Sequence, residues 1–420
     1  MVLAASTHVM LYMSAQNELS DKATENIHAI EKAVRLDNIC TYIMLDKVTD
    51  PDVDGRDARN TLQYFLAPGA AETPFASQGF ATKDENVSDP EVFEQILGIA
   101  NEHFQSHSAG ETPLQKLLIF WGHGGGLVML DEQQKAGVQR AGANMKAFAD
   151  VLVTSSKASQ QTTFDIIAFD SCYMCMIETL HELRSVSKFA LCSSTMVDAD
   201  GFPYEKMFNE LKTNGQKLGP SATVERLTQI YDAHYLEKFP KGDRFLFICN
   251  MEEIAECVTA LNAFGIVLTS LLSDIVEADP VRDAINEALI AAHADSSYVY
   301  VLRFLRMLPI MLDGRITQNQ MTKVEQQSKT LRSAVKTAFQ GNMGDTTENF
   351  ISPLIWVPSN INAFANKEAN YNELQASNSG SAGWATFWRT FHGRSEIAIA
   401  TASDRHTNIP GLPTTKTLAL

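Results

Sequence analysis

Over the first 240 residues, short apolar runs alternate with stretches whose apolar positions recur every three or four residues. The runs read as buried strands and the stretches as amphipathic helices. Residues 9–13 predict a strand. Residues 19–34 predict a helix, with Ala23, Ile27, Ile30 and Val34 on one stripe. Strands follow at 40–45 and 62–66, separated by a polar loop through Pro51 and Gly55. Asp89 is placed to cap a helix over 92–104, with Pro90 in its first turn. Next come a strand ending at Trp121, a helix near 144–152, a strand ending at Phe169, a helix starting at Tyr173 and a strand at 189–192. Strands alternating with helices predict an α/β, doubly wound, mostly parallel sheet.

Beyond residue 240 the pattern turns helical. Residues 245–249 read as a strand. Residues 251–272 form a long stripe of Ile254, Cys257, Val258, Leu261, Phe264, Leu268, Leu271 and Leu272. Further helices are expected near 281–292 and 318–339, and a late strand at 354–357 is expected to return to the sheet. The predicted organisation is a catalytic domain over 1–240, a mainly helical region over 241–395 packed on it, and a tail over 396–420.

Composition narrows the function. At 420 residues and 45% hydrophobic, the chain is long enough for one large domain or two packed ones. Basic residues number 34 and acidic residues 50, a net charge of −16. That balance disfavours binding to nucleic acid and to anionic membranes, and favours cationic partners. No run of 18 apolar residues occurs, so no membrane-spanning helix is expected. No Lys or Arg precedes Lys22, and residues 9–13 read as a core strand, not a signal segment. The expectation is a cytoplasmic monomer, with a secreted form left open. The six cysteines are scattered, and Cys40, Cys172, Cys192 and Cys249 border apolar runs; they read as free thiols.

Two strand ends carry chemistry. His123 follows the run at 117–121 inside Gly122-His-Gly-Gly-Gly126, and Cys172 follows the run at 164–169, 49 positions later. Binding crevices form at the carboxyl ends of strands in such sheets. A thiol and an imidazole there are the minimum set for a cysteine nucleophile and its base. The glycines lack the Lys-Ser/Thr of a phosphate loop and read as backbone that approaches a substrate closely. Cys172 placed at a helix N-terminus would gain thiolate character. Cys172 and Cys175 also form a Cys-x-x-Cys pair, so a thiol oxidoreductase is a rival. A zinc site at this pair is weak, because no second Cys or His pair stands at ligand spacing, and no metal ligands are assigned.

These residues resemble a family. Ile119-Phe-Trp-Gly-His-Gly-Gly-Gly126 with Ile167-Ala-Phe-Asp-Ser-Cys-Tyr-Met174 is similar to the clostripain family of cysteine peptidases, in the caspase–gingipain clan. Further blocks match in order: residues 9–19, the segment 193–204 ending in Gly-Phe-Pro-Tyr, residues 354–358, and 371–388 through Trp384 and Trp388. The resemblance covers roughly residues 7 to 392.

The resemblance implies a caspase-like fold and hydrolysis of proteins or peptides after Arg or Lys. It implies Cys172 as nucleophile, His123 as proton donor to the leaving amine, and the backbone N–H groups of Gly124 and Cys172 as oxyanion hole. Asp170 would receive the basic P1 side chain, with Ser193 and Asp198 contributing to substrate binding. Cleavage of the chain itself is expected after Lys135 or Arg140, in a polar loop between the two catalytic residues. No cofactor is required. Some relatives use calcium, and the acidic loop at 46–57 is the place where it could bind, although a solvated loop is the plainer reading. The alternative functions are a catalytically idle caspase-like regulator and the oxidoreductase.

Overall fold

The computed structural model describes residues 7–34, 39–48, 59–66, 80–82, 86–108, 112–130, 143–159, 164–215, 217–239, 246–273, 278–295, 297–341, 351–358, 374 and 383–392. In chain order the first half contains β1 (Thr7–Ala15), α1 (Ser20–Val34), β2 (Ile39–Val48), β3 (Arg59–Leu66), β4 (Phe80–Thr82) and α2 (Pro90–Ser106). There follow β5 (Gln115–Trp121), β6 (Gly124–Gly125), β7 (Val128–Met129), β8 (Ala143–Asn144), α3 (Met145–Ser159), β9 (Phe164–Asp170), α4 (Ile177–Glu182) and β10 (Ser187–Cys192). The remainder holds α5 (Tyr204–Asn214), α6 (Pro220–Lys238), β11 (Phe247–Asn250), α7 (Ile254–Ser273), α8 (Ala278–Ala291), β12 (His293–Asp295), β13 (Tyr298–Tyr300), α9 (Val301–Leu312), α10 (Gln318–Ala338), β14 (Phe339–Gln340), β15 (Leu354–Trp356) and α11 (Gly383–His392).

The main sheet has the strand order β14-β11-β10-β9-β5-β1-β2-β3-β4 among the described residues. Its centre, β10-β9-β5-β1-β2, is parallel; the strands on either side are antiparallel. All nine residues of β1 are buried. That is what a central parallel strand covered on both faces requires, and why these strands read as unbroken apolar runs.

Alternation along β1 divides the core in two. Met10 and Tyr12 join Phe93, Phe104, Phe120 and Phe148 on one face, under α2 and α3. Val9, Leu11 and Met13 join Ile27, Ile30, Met207, Phe208, Leu227 and Tyr231 on the other, under α1, α5 and α6. The sheet is thus doubly wound, as its alternating pattern predicts. Asp89 caps α2 by accepting from the Glu91 N–H at 2.9 Å.

Two expectations change. The late strand β15 does not join the main sheet. It pairs antiparallel with β13 in a small separate sheet, and Leu354 meets Met176 in one parallel bridge. The strands of the C-terminal region that do reach the main sheet are β11 and β14, at its edge. The helix expected from Tyr173 starts only at Ile177. Before it, backbone groups are taken by other segments: the Tyr173 N–H by the Thr195 carbonyl, the Cys175 N–H by the Ser193 carbonyl, and the Cys175 carbonyl by the Leu354 N–H. A segment bonded outward in this way has no groups left for helix bonds.

By length and mean hydropathy (1.7), α7 is the one described helix that could cross a bilayer. It is instead the core helix of the C-terminal region, packed on α10 and α11. Gly265 and Gly383 form the α7–α11 crossing, where a Cβ on Gly265 would lie 2.6 Å from the Gly383 carbonyl.

Candidate active site

β5 and β9 are hydrogen-bonded neighbours, and their last paired residues are Trp121 and Asp170. His123 and Cys172 each stand two residues beyond that pair. Adjacent strands lie about 4.8 Å apart, so both side chains leave the sheet at one point on its carboxyl edge. The two loops touch. A Cβ on Gly124 would sit 2.6 Å from the Cys172 carbonyl oxygen and 2.8 Å from the Ser171 Cβ. Only glycine permits this approach. Gly122 takes a φ of +137°, and a Cβ there would meet the Ser14 carbonyl oxygen at 2.7 Å.

The glycine run is a tight hairpin. β6 pairs with β7, and β7 with β8. The Leu130 N–H closes it onto the His123 carbonyl at 2.8 Å. Tyr298, from the C-terminal region, donates its hydroxyl to the Gly125 carbonyl, and Thr179 donates to that of Gly126 at 2.8 Å. Glu18, after β1, puts a carboxylate oxygen 3.0 Å from His123 Nε2. The approach lacks the alignment of a hydrogen bond.

Of the six thiols, Cys172 is the one that reaches solvent; the other five are buried. Its Sγ accepts the Val197 N–H at 3.3 Å. An N–H aimed at sulfur stabilises negative charge on it, and this replaces the helix-terminus effect expected from sequence. Tyr173 is held at a φ of +58°, in the left-handed region that β-carbon residues rarely occupy. Cys175 is buried, and its thiol bonds to that of Cys192. The two sulfurs of the Cys-x-x-Cys pair therefore have different partners.

Asp170 closes β9 beneath the turn at 201–204. Oδ2 accepts the Phe202 N–H at 2.9 Å and the Tyr204 hydroxyl at 2.8 Å. Oδ1 is buried with no hydrogen-bond partner among the described residues. Burial pushes the carboxyl up from its usual 3.8 to about 7, although the Phe202 and Tyr204 bonds pull it down. Gly201, at φ +68°, packs so closely that a Cβ would fall 2.6 Å from Oδ2.

The model of the clostripain family matches residues 11–301. This chain belongs to the clostripain family. Clostripain of Hathewaya histolytica is 23% identical over 232 residues, a match that covers 49% of this chain and 42% of clostripain's own length. A secreted C11 cysteine protease from Bacteroides thetaiotaomicron, solved with an irreversible peptide inhibitor, is similar at a TM-score of 0.58 and 17% identity, over 90% of this chain and 99% of that one. An inactive zymogen C11 protease from Parabacteroides distasonis is similar at 0.56 and 17%, over 89% and 98%. These likenesses show the caspase-like fold.

The remaining candidates of this clostripain-family chain fall unevenly. Ser193 is fully buried; its hydroxyl bonds Thr195 and accepts the Thr195 N–H at 3.1 Å, so it holds the turn behind Cys172 and does not face solvent. Asp198 is not an open charge. Lys238 bridges it, at 3.1 Å, to Asp200, and Lys22 holds Asp200 at 2.9 Å. Lys238 and Lys22 draw the Asp200 carboxyl below its usual range. Lys135 and Arg140 lie outside the described residues. In the acidic run, Asp46 belongs to β2, where it is buried and accepts from Gln16 at 2.7 Å; Asp50, Asp52, Asp54 and Asp57 lie outside the described residues. Sequence reasoning missed Glu18, Val197 and Tyr298. None carries a signal of its own, because each reaches the site only through tertiary packing.

Proposed function

We propose that this chain is a cysteine endopeptidase that cleaves proteins or peptides after Arg or Lys. The observation that carries the reading is the single solvent-reaching thiol, Cys172, on a loop packed directly against the His123 loop. The Cys172 thiolate adds to the scissile carbonyl carbon, and the carbonyl electron pair moves to oxygen. The N–H groups of Gly124 and Cys172 receive that oxyanion. Collapse breaks the C–N bond while His123 protonates the leaving amine. Water, with His123 as base, then hydrolyses the thioester and restores the thiol. No step needs a cofactor. Calcium dependence is checked by assaying the intact protein with and without a chelator.

Asp170 is the group we assign to the P1 cation. Its buried Oδ1 has no hydrogen-bond partner among the described residues, and a guanidinium or ammonium would supply one. With Asp198 bridged to Lys238 and Ser193 turned inward, selectivity for a basic P1 rests on Asp170. Processing after Lys135 or Arg140 remains part of the reading, and the similarity to a protease solved as an inactive zymogen supports it. Another similar structure is of a secreted enzyme, which does not fit the cytoplasmic expectation and favours the secreted form. The oxidoreductase reading loses ground, because the Cys175 thiol bonds to Cys192 and the Cys172 sulfur to Val197.

The test is a panel of fluorogenic peptides differing only at P1, assayed with wild type and Cys172→Ala. Turnover confined to wild type and to Arg and Lys peptides supports the proposal. Equal turnover of Asp and Arg peptides removes the specificity, and turnover by Cys172→Ala removes the mechanism.

A further inference from the structure

A second group of soft ligands lies at the opposite edge of the sheet from Cys172. Cys40 is the second residue of β2, and His103 and His107 stand one turn apart at the end of α2. One ligand atom from each falls within 4.8 Å of the other two. Cys40 Sγ and His103 Nε2 are 3.2 Å apart. Cys40 and His103 are buried, whereas His107 is partly open to solvent.

The group is built, not loose. His107 Nδ1 sits 2.9 Å from both the His103 carbonyl oxygen and the Ser106 hydroxyl, which fixes its ring. The carbonyls of Thr41 and Leu66 bond the His103 imidazole. Backbone partners of this kind orient imidazole ligands in metal sites. A third imidazole adjoins. His8 is paired in register with Cys40 on the neighbouring strand, and its buried Nδ1 has no partner among the described residues.

We propose that Cys40, His103 and His107 bind a zinc ion that clasps β2 to the end of α2, apart from the catalytic site. One sulfur and two nitrogens suit zinc, not calcium or magnesium, which take oxygen ligands. Three protein ligands leave one tetrahedral position for water, reached from the open side of His107. On binding, the Cys40 thiol releases its proton to solvent and a zinc–sulfur bond forms.

The site is tested on the full chain carrying Cys172→Ala, so that the catalytic thiol cannot compete. Metal-free protein is titrated with zinc by calorimetry and with cobalt by absorption. The proposal expects about one ion per chain, a thiolate-to-cobalt charge-transfer band, and a melting temperature that rises with zinc. His107→Ala and Cys40→Ser should each weaken binding about tenfold or more, and Cys40→Ser should abolish the band. His107 is partly exposed, so that variant should fold, and it decides the matter if Cys40→Ser does not. Absent stoichiometric binding, a cobalt spectrum without the thiolate band, or unchanged affinity in His107→Ala would overturn the proposal.

Discussion

Replacing Asp170 with Asn should stabilise the fold at neutral pH while crippling cleavage after Arg. The carboxyl is raised from 3.8 to about 7, chiefly by burial. An acid raised in this way holds its proton more tightly in the native state than in the unfolded chain. Its contribution to stability is therefore most favourable below 3.8 and is lost as pH climbs to about 7. Roughly three pKa units at about 1.4 kcal/mol each make the ionised form a burden on the order of 4 kcal/mol. Asn keeps an oxygen for the Phe202 N–H and the Tyr204 hydroxyl and carries no charge. In a Cys172→Ala background, the melting temperature of Asp170→Asn relative to Asp170 should climb between about pH 4 and pH 8. If Asp170 receives the P1 guanidinium as proposed, losing its charge is worth about 2–5 kcal/mol, so kcat/KM for Arg peptides should fall about 30-fold or more. Equal melting differences at both pH values would refute the buried-charge argument. An undiminished preference for Arg would refute the specificity assignment.

Three more outcomes are expected, the first two from the glycine contacts. Gly124→Ala pushes a methyl into the Cys172 carbonyl, 2.6 Å away, and should both cut kcat/KM by about tenfold or more and lower the melting temperature, read by peptide assay and calorimetry. Gly265→Ala separates α7 from α11 and should cost about 1–3 kcal/mol in denaturant unfolding while leaving KM unchanged. Incubated wild type should gain a new N-terminus after Lys135 or Arg140, located by mass spectrometry, and Cys172→Ala should not; a fully active uncut wild type would show that processing is not needed.

The catalytic half of the fold was legible because buried parallel strands leave a plain mark. Residues 9–13, 117–121 and 166–169 are apolar without interruption, and each lies in a central strand. The placement of His123 and Cys172 beyond neighbouring strand ends was legible because each closely follows an apolar run. The failures share one cause. Residues 171–176 look helical, but Thr195, Ser193 and Leu354 take their backbone groups, and those partners are distant in sequence. Asp198 looked like an open charge because Lys238 is 40 residues away, and Ser193 looked available because its turn with Thr195 was invisible. The helices α5 and α6 went unassigned despite readable stripes such as Val224, Leu227, Tyr231 and Tyr235. The His103/His107 pair does stand at ligand spacing in the sequence but was passed over, because 63 positions separate it from the Cys40 thiol beside it in the fold.

The most direct measurement is intact-protein mass spectrometry with an electrophilic peptide carrying a P1 Arg. Cys172 is the only solvent-reaching thiol, so the account predicts one adduct per chain, mapped to Cys172, with hydrolysis lost in step with labelling. His123→Ala should label more slowly and turn over no peptide. Full hydrolysis by a chain already labelled at Cys172 would contradict the account, as would an adduct on another cysteine that abolishes activity while Cys172 stays free.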